Sequence, residues 1–567
     1  MMMPGNAGFR HGLLAALLAA LPLTAVLAQV GPERLDRAAE EPHNWLTYSG
    51  NYNSDRYSRL DQITPDNVGN LEQQWVYQSS AFGLSWTPTP LVADGVMYLT
   101  QRPNDVVALD ARTGRVFWIY SYPTPPDVKS CCGSNNRGVA LLGERVFMAT
   151  LDAHVVALDA ATGAELWDVE LADNQLQYSF TLAPLAINDL VLVGTSGGDR
   201  GIRGFISALD AATGEEVWRF HTIPAPGEPG HETWEPCPPD PETYCDPEAW
   251  KHGGGAVWIT GSYDPELNLT YWGVGNPGPD WNPSQRPGDN LYTSSVVALD
   301  ADTGELRWHF QFTPGDPYDY DAVQIPVLAD IQRGGSTLKA MLWANRNGFY
   351  YVLDRATGRF LNGRAFVKVN WAEGLDDSGR PIATPQAPGE PTFPSLTGAT
   401  NWYSPSFSPR TELFYVSAWE DRASVFNPLP QEYEPGEPFH GGYPENVQPV
   451  PGAPTVPTRG PGPINNWTAA AGYGAVLALD ALTGEERWRV EMTDVIRSGL
   501  LSTASDLLFS GARSGYFQAH DARTGDLLWR VNLGGQIESG PTTFEVEGRQ
   551  YVTIVAGQSL SAFALRD

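Results

Sequence analysis

The sequence predicts an all-β protein, an eight-bladed β-propeller, from an internal repeat and from its composition. The repeat is a pair of β-patterned runs joined by a tight Asp-x-x-Thr-Gly turn, and most copies end in a Trp. Its copies are carried by Asp110, Asp159, Asp210, Asp300, Asp354, Asp480 and Asp521. The composition agrees, because 58 Gly, 47 Pro and 19 Trp in 567 residues, with 18% charged residues, are typical of a large globular β protein.

The spacing of the copies sets the expected number of blades. Most neighbouring copies lie roughly 40 to 55 residues apart, which is the length of a four-stranded blade. The two wider gaps leave room for insertions, at about 225–250 and 427–463, and for one further blade, which we assign to residues 401–420. Because a blade cannot bury its sheet faces alone, residues 29–567 are predicted to form a single domain.

The first 28 residues are predicted to be a secretory signal. Arg10 precedes an apolar run from Leu13 to Leu27, and small residues lead to Ala28. The run is short for a membrane span and no second span follows, so we expect export of a protein without a membrane span. The net charge of −30 argues against nucleic acid as a partner and leaves room for a basic protein.

Each insertion has a feature of its own. Cys237 and Cys245 are close in sequence, and in an exported chain this favours a disulfide over a metal site, which would need further ligands. The second insertion is rich in Pro and poor in apolar periodicity, which predicts a long surface loop or lid.

The stretch after the first insertion concentrates the candidate functional residues. Gly253–Gly255 would let the backbone approach a partner closely, and Trp258 follows as either a stacking surface or blade core. Asn276 offers an amide oxygen, and Asp319 and Asp321 would project to one side if their segment is extended. Two such carboxylates repel each other unless a cation lies between them, whereas the alternative is a solvated acidic turn.

Together these features resemble the pyrroloquinoline quinone (PQQ) dependent alcohol dehydrogenases, eight-bladed propellers with tryptophan-docking repeats that hold the quinone on the propeller axis. The resemblance extends from His43 to the last strand. The adjacent Cys131 and Cys132 match the family's vicinal disulfide, which covers one face of the quinone. The resemblance implies a periplasmic oxidoreductase that converts alcohols to aldehydes.

The resemblance implies a set of quinone-binding residues. Trp258 would cover the face opposite the disulfide, and Arg137 would bind quinone carboxylates. The remaining matched positions are Thr181, Ser196, Gly197, Gly198, Arg346, Asn401 and Trp402. For the last two, an ordinary place in the blade core is the alternative.

The resemblance also implies a catalytic base and a metal site. Asp319 would take the hydroxyl proton while hydride moves from the alcohol carbon to the quinone, and Arg346 would lie beside the reacting quinone oxygen. The metal, a Lewis acid on a quinone carbonyl, would be held by Asp199, Asn276, Asp319 and Asp321. Asp321 resembles the extra carboxylate of the lanthanide-dependent branch, so a lanthanide is favoured and Ca²⁺ is the alternative.

Three positions depart from the family pattern. Asp199 stands where a metal-binding Glu is usual, Thr87 replaces a Glu that hydrogen-bonds the quinone, and Arg497 lies about where a cofactor-edge Trp is common. These departures leave open a second class of function, a non-catalytic propeller scaffold with a degenerate quinone site. Because the sequence has no Cys-x-x-Cys-His haem motif, we expect electrons to pass to a separate, basic cytochrome c.

Overall fold

A computed structural model describes residues 29–80, 86–131, 133–238, 244–387, 389–447, 473–492 and 496–566. The predicted signal, residues 1–28, lies outside these ranges. Within them the strands form eight antiparallel sheets of four strands each, one of which gains a short fifth strand, and this arrangement confirms the predicted eight-bladed propeller. None of the described helices is long and apolar enough to cross a membrane.

The described residues begin with helix α1 (Pro32–Asp36) and strands β1 (Tyr57–Ser58) and β2 (Leu71–Gln78). Five blades then follow in chain order. Their strands are β3 (Leu91–Ala93), β4 (Val96–Gln101), β5 (Asp105–Asp110) and β6 (Val116–Ser121); β7 (Ala140–Leu142), β8 (Arg145–Ala149), β9 (His154–Asp159) and β10 (Glu165–Glu170); β11 (Leu185–Ile187), β12 (Leu190–Gly194), β13 (Phe205–Asp210) and β14 (Glu216–His221); β15 (Ser262–Asp264), β16 (Leu269–Gly273), β17 (Ser295–Asp300) and β18 (Leu306–Gln311); β19 (Val327–Arg333), β20 (Ser336–Ala344), β21 (Phe349–Asp354) and β22 (Phe360–Ala365).

The later strands complete three more blades and two hairpins. The hairpins pair β23 (Ala372–Leu375) with β24 (Pro381–Ala383), and β27 (Ala423–Pro428) with β28 (Gly442–Val447). The blade strands are β25 (Ser406–Ser408), β26 (Leu413–Glu420), β29 (Tyr473–Asp480) and β30 (Glu486–Met492); β31 (Leu501–Thr503), β32 (Leu507–Gly511), β33 (Tyr516–Asp521) and β34 (Leu527–Asn532); β35 (Thr542–Val546), β36 (Arg549–Ala556) and β37 (Ser559–Leu565). Short 3₁₀ turns lie at Ala38–Glu40, Val68–Asn70, Asn174–Leu176, Gly198–Arg200, His231–Thr233, Ala249–His252 and Pro283–Gln285.

The two ends of the described chain share one blade. Strand β2 pairs with β37, and β36 and β35 complete that sheet. Strand β1 adds in parallel to β31 of the preceding blade. The ring is therefore closed by hydrogen bonds between the first and last strands of the domain.

The eighth blade is not formed by residues 401–420, and this part of the sequence prediction was wrong. Strands β25 and β26 in that segment belong to the same sheet as β29 and β30, which carry the Asp480 repeat. The eighth blade is the closing one, which has no Asp-x-x-Thr-Gly turn. The repeat could not reveal it, because its strands come from both ends of the chain.

The repeat turn and its Trp connect neighbouring blades. In each turn the Asp side chain accepts backbone hydrogen bonds, as Asp300 does from Asp302 and Thr303 at 3.1 Å each. The indole Nε1 of Trp218 then donates to the carbonyl of Ala301 in the next blade at 3.1 Å. The same bond is made by Trp75, Trp118, Trp167 and Trp488.

In six of the seven turns the glycine lies against the docking Trp of the neighbouring blade, whereas Gly484 lies against Tyr350. Gly304 has a φ of +71°, and a Cβ there would lie 2.5 Å from the Trp218 ring. A side chain would therefore be strained and would displace the Trp from the blade. The frequent Trp residues and the regular Asp-x-x-Thr-Gly turn of the repeat both belong to this one interface between blades.

The insertions lie on the blade connections. Cys237 and Cys245 form the expected disulfide, with Cα atoms 5.5 Å apart. The Pro-rich insertion was predicted to be a loop, but its first part contains a hairpin formed by β27 and β28. Residues 429–441, which connect these two strands, pack on other loops. The rest of this insertion, residues 448–463, lies outside the described part of the chain, as do residues 464–472.

Candidate functional site

The two carboxylates at 319 and 321 lie in a buried turn and not in an extended strand. Asp319 has a left-handed φ of +59°. Asp316 holds the turn, because its two carboxylate oxygens accept the backbone N–H groups of Tyr318 at 2.8 Å and Tyr320 at 2.7 Å. The turn directs both Asp319 and Asp321 to one arginine.

Arg346 lies between the two carboxylates. Its Nη1 donates to Asp321 Oδ2 at 2.5 Å and its Nη2 to Asp319 Oδ2 at 3.2 Å. Nη2 also donates to the carbonyl of Leu396 at 2.7 Å, which fixes the guanidinium. All three charged side chains are buried, so the alternative of a solvated acidic turn is excluded.

Asn276 joins this group from the loop after β16. Its backbone N–H donates to Asp321 Oδ1 at 2.9 Å, and its Nδ2 donates to Asp280 Oδ1 at 2.9 Å. Its Oδ1 accepts no hydrogen bond from the described residues. The Gly triplet positions the loop, because Gly255 donates to the Asn276 carbonyl at 2.9 Å and a Cβ on Gly254 would meet that oxygen at 2.8 Å.

Asp280 is a further buried carboxylate that the sequence analysis did not single out. Its Oδ2 lies 2.7 Å from Nδ1 of His440, which comes from the segment 429–441 of the second insertion. Asp280 follows Asn276 by 4 residues in the sequence, and it is 160 residues away from His440. Sequence alone gives no signal for a contact across that distance.

Four carboxylates of the site interact electrostatically, and Arg346 pairs with two of them, Asp319 and Asp321. Burial raises the pKa of Asp319 well above its usual range; the Arg346 charge opposes this, and repulsion from Asp321, Asp199 and Asp280 adds to it. Burial, followed by the Asp199 charge, likewise raises the pKa of Asp280. Burial raises the pKa of Asp321, and the Arg346 charge and the hydrogen bond from the Asn276 backbone N–H oppose this rise. The site therefore has more negative than positive charge and would be stabilised by a cation.

The donors fit a hard cation in their chemistry. Carboxylate and amide oxygens are the ligands of Ca²⁺-type ions, and Asp199, Asn276, Asp319 and Asp321 supply only these. Asp199 lies next to Cys131, with its Oδ2 3.2 Å from the Cys131 Sγ. As they stand, no three carboxylate, imidazole or thiolate groups of the described residues form a preassembled metal cluster.

A second group of residues surrounds Arg137. The guanidinium carbon lies 5.0 Å from the Trp258 ring centre and 5.1 Å from that of Trp402. Nη1 donates to the carbonyl of Thr181 at 3.0 Å, and the Thr181 hydroxyl lies 2.8 Å from that of Ser196. Burial lowers the pKa of Arg137 to about 10.

Arg137 fits an anionic ligand. Its Nε is buried and has no hydrogen-bond partner among the described residues. In the described part of the chain no carboxylate pairs with this guanidinium, so the buried Arg137 cation contacts two indole rings and leaves its Nε–H without an acceptor. An aromatic anion would satisfy the donor and stack on Trp258.

The other predicted cofactor residues differ in how they are held in the structure. Gly197 and Gly198 lie in the turn that carries Asp199, and a Cβ on Gly197 would meet the Gln177 carbonyl at 2.3 Å. Asn401 is turned toward its own loop, since its Nδ2 donates to Thr397 O at 3.0 Å. Cys131 is disulfide-bonded, and Cys132 lies outside the described residues, so the vicinal pairing stays a prediction.

Thr87 and Arg497, two of the three positions that differ from the family pattern, have contrasting surroundings. The Thr87 hydroxyl is buried without a hydrogen-bond partner in the described part of the chain. Arg497 Nη1 lies 3.1 Å from Glu538 Oε1, and its guanidinium carbon is 5.6 Å from the Trp419 ring centre. An ion pair and a ring contact therefore occupy this place, where the family pattern has a Trp.

Comparison with known proteins agrees with this geometry. The family described as PQQ glucose/ethanol/alcohol dehydrogenase, β-propeller domain, matches residues 45–370 and 374–552. The chain is 38% identical over 561 residues to quinohemoprotein alcohol dehydrogenase ADH IIB of Pseudomonas putida, covering 96% of this chain and 78% of that protein. It is 37% identical over 571 residues to quinoprotein alcohol dehydrogenase PedH of Pseudomonas putida, with coverage of 95% and 90%.

A solved structure extends the match to three dimensions. A europium-containing methanol dehydrogenase has a TM-score of 0.84 and 32% identity, and the match covers 94% of this chain and 100% of that one. With more than half of the sequence inside the family match, the chain belongs to the PQQ-dependent alcohol dehydrogenases.

Proposed function

We propose that this alcohol dehydrogenase uses Asp319 as the general base that removes the hydroxyl proton of its substrate. The observation that carries the proposal is the buried Asp319–Arg346–Asp321 group, in which the Arg346 guanidinium donates to both carboxylates. A raised pKa makes the Asp319 carboxylate a better proton acceptor than an exposed Asp. Arg346 holds that carboxylate in place.

The chemistry divides between protein and cofactor. PQQ, bound with its metal ion, supplies the acceptor for the hydride that leaves the alcohol carbon as the aldehyde forms. Asp319 takes the remaining hydroxyl proton, so charge and electrons balance. Burial of the site excludes water from the proton-transfer step.

We assign the cofactor to the space between the Cys131–Cys132 pair and the Trp258 indole. Arg137 would pair its unused Nε–H with a quinone carboxylate, and the hydroxyls of Thr181 and Ser196 would bind at the ring edge. The remaining contacts are assigned to Gly197, Gly198, Arg346, Asn401 and Trp402. The contact between Arg137 and Trp402 supports the last of these.

For the metal we propose Asp199, Asn276, Asp319 and Asp321 as ligands and a lanthanide as the ion, with Ca²⁺ as the alternative. Four interacting acidic groups, only two of which pair with the Arg346 guanidinium, suit a trivalent cation better than a divalent one. The europium named in the related methanol dehydrogenase structure supports the same choice.

We further propose that the protein works in the periplasm and passes electrons to a separate cytochrome c. The predicted signal at residues 1–28 supports export, and a net charge of −30 would attract a basic carrier. The identity of the alcohol is left to experiment.

The test is dye-linked oxidation of a set of primary alcohols by metal-free protein, reconstituted with PQQ and either calcium or lanthanum. We expect dye reduction and aldehyde only when quinone and metal are both added. An Asp319→Asn variant should lose kcat by about 10²- to 10⁴-fold and still bind PQQ, seen by its absorbance. Failure to bind quinone with either metal would favour the alternative, a propeller scaffold with a degenerate site.

A further inference from the structure

We infer that Asp280 is a positioning residue for the metal ligand Asn276, and that its pairing with His440 ties the metal site to the segment 429–441. The inference rests on the proposed function, because it assumes a cation at Asn276. It concerns a side chain that is not among the proposed ligands and is almost fully buried beside them.

The geometry fixes which way the Asn276 amide faces. Asp280 Oδ1 accepts from Asn276 Nδ2 at 2.9 Å, so the amide nitrogen points to Asp280 and the amide oxygen points away from it. On that other side, a Cβ added to Gly198 would lie 3.7 Å from Asn276 Oδ1. The free oxygen therefore faces the turn that carries Asp199, where a shared cation would bind. A flipped amide would present a donor to the cation and repel it.

Asp280 is itself held from the other side. Its Oδ2 takes the His440 Nδ1 contact at 2.7 Å, and its backbone carbonyl accepts from Arg286 Nη2 at 3.2 Å. Because each carboxylate oxygen of Asp280 already has a protein partner, Asp280 orients the ligand Asn276 and is not itself a metal ligand. Such outer partners orient metal ligands in many sites.

The segment 429–441 contacts the site at two points. The His440 ring stacks on the Trp281 ring with centres 5.2 Å apart, and the backbone N–H of Trp281 donates to the His440 carbonyl at 3.0 Å. The neighbouring Phe439 N–H donates to the carbonyl of Asp199 at 2.9 Å. One short segment thus fastens both the Asp280–Asn276 side and the Asp199 side of the proposed metal site.

The experiment measures metal affinity directly. Lanthanum and calcium are titrated by calorimetry into metal-free protein with PQQ present, for the wild type and for Asp280→Ala and Asp280→Asn. We expect Asp280→Ala to weaken binding by about 10- to 100-fold. Asp280→Asn should recover most of this loss, because its carbonyl can accept from Asn276 and its amide can donate to His440. Asp289→Ala, which removes an exposed carboxylate paired with Arg380, should bind as the wild type does.

The outcomes separate the inference from the function it rests on. If the wild type binds neither metal, the proposed metal site fails. If the wild type binds and Asp280→Ala binds equally well, Asp280 does not position the ligand. If Asp280→Asn binds metal as weakly as Asp280→Ala does, the charge of Asp280 determines the affinity, and the proposed orienting role is overturned. Thermal unfolding of each variant checks folding, and the nearly isosteric Asn variant is informative even if the Ala variant does not fold.

Discussion

Arg346 shows how single side chains set the chemistry of this site. Two buried carboxylates share its guanidinium, and removing either would leave a buried charge with fewer partners, which is costly. The sequence could predict Asp319, Asp321, Asn276 and Arg346 as a group, because their residue types and spacing resemble those of a known family. It could not predict that Asp319 lies in a left-handed turn fixed by Asp316, since that conformation depends on hydrogen bonds formed only on folding.

Asp321 is expected to decide the preference for metal. In an Asp321→Ala variant the group loses one anionic oxygen donor, so a trivalent ion loses more attraction than a divalent one. We expect lanthanum-supported activity to fall at least about tenfold, which corresponds to about 1.4 kcal/mol, while calcium-supported activity falls less. Activity titrations with each metal at saturating PQQ measure the two effects. Equal losses with both metals would remove the argument for a lanthanide.

Asp55 gives a pH test away from the active site. Burial raises its pKa to about 6, above the usual 3.8, so the folded state holds its proton more tightly than the unfolded state does. Its contribution to stability is therefore complete below about pH 4 and is lost as pH rises to about 6. The two hydrogen bonds from Asn51 and Tyr57 both end on Oδ1, so an Asn can keep them.

An Asp55→Asn variant should therefore become more stable than the wild type as pH rises. We expect a difference in unfolding free energy near zero at pH 4 and on the order of 1 to 2 kcal/mol at pH 7, allowing for partial contact with solvent. Chemical denaturation at the two pH values measures it. A constant difference across this range would mean that Asp55 does not titrate as its burial implies.

At the scale of elements, the fold is a repeated contact between one blade's Trp and the next blade's turn. The sequence predicted the repeated turn and its Trp, because the motif lies within one continuous stretch of each blade, but it did not predict the contact between blades. It misplaced the eighth blade, because that sheet joins β2 to β35–β37 and has no copy of the motif. It also predicted a loop where β27 and β28 pair, since Pro-rich composition hides a hairpin whose strands are separated by 429–441.

Two docking tryptophans form a matched pair for measuring the interblade hydrogen bond. Trp218 and Trp308 are similarly buried and both cover the glycine of the next turn, Gly304 and Gly358. Trp218 Nε1 donates to Ala301 O at 3.1 Å, whereas Trp308 Nε1 has no partner among the described residues. The loss of ring area is the same when each is changed to Phe.

The difference between the two variants isolates the hydrogen bond. We expect Trp218→Phe to cost about 1 to 3 kcal/mol more than Trp308→Phe, because it leaves the Ala301 carbonyl without its donor. Equilibrium denaturation of both variants gives this difference. If the two cost the same, ring packing alone would hold the blades together.

For the whole molecule, closure and charge act together. The sheet shared by β2 and β37 ties the ends of the domain, so a ring of blades can carry a site built from distant segments, such as Asp280 and His440. The chain bears a net charge of −30, which opposes compactness and favours approach of a positively charged partner. Composition predicted this property directly, since charge needs no fold to be counted.

Electron transfer to a basic cytochrome c should therefore weaken as salt is added. Long-range attraction is screened over about 10 Å at 0.1 M ionic strength, so we expect the second-order rate of cytochrome reduction to fall at least about tenfold from 10 mM to 0.5 M salt. Stopped-flow absorbance of the cytochrome measures the rate.

Two controls separate docking from catalysis. Oxidation linked to an uncharged dye reports the chemical step and should change little with salt, because no charged partner has to approach. An acidic cytochrome should show the opposite slope, since screening relieves its repulsion from the protein. A rate with the basic cytochrome that does not respond to salt would mean that the negative surface does not guide the acceptor, and that docking depends on a local contact surface. The net charge would then serve solubility, as it does in many acidic proteins.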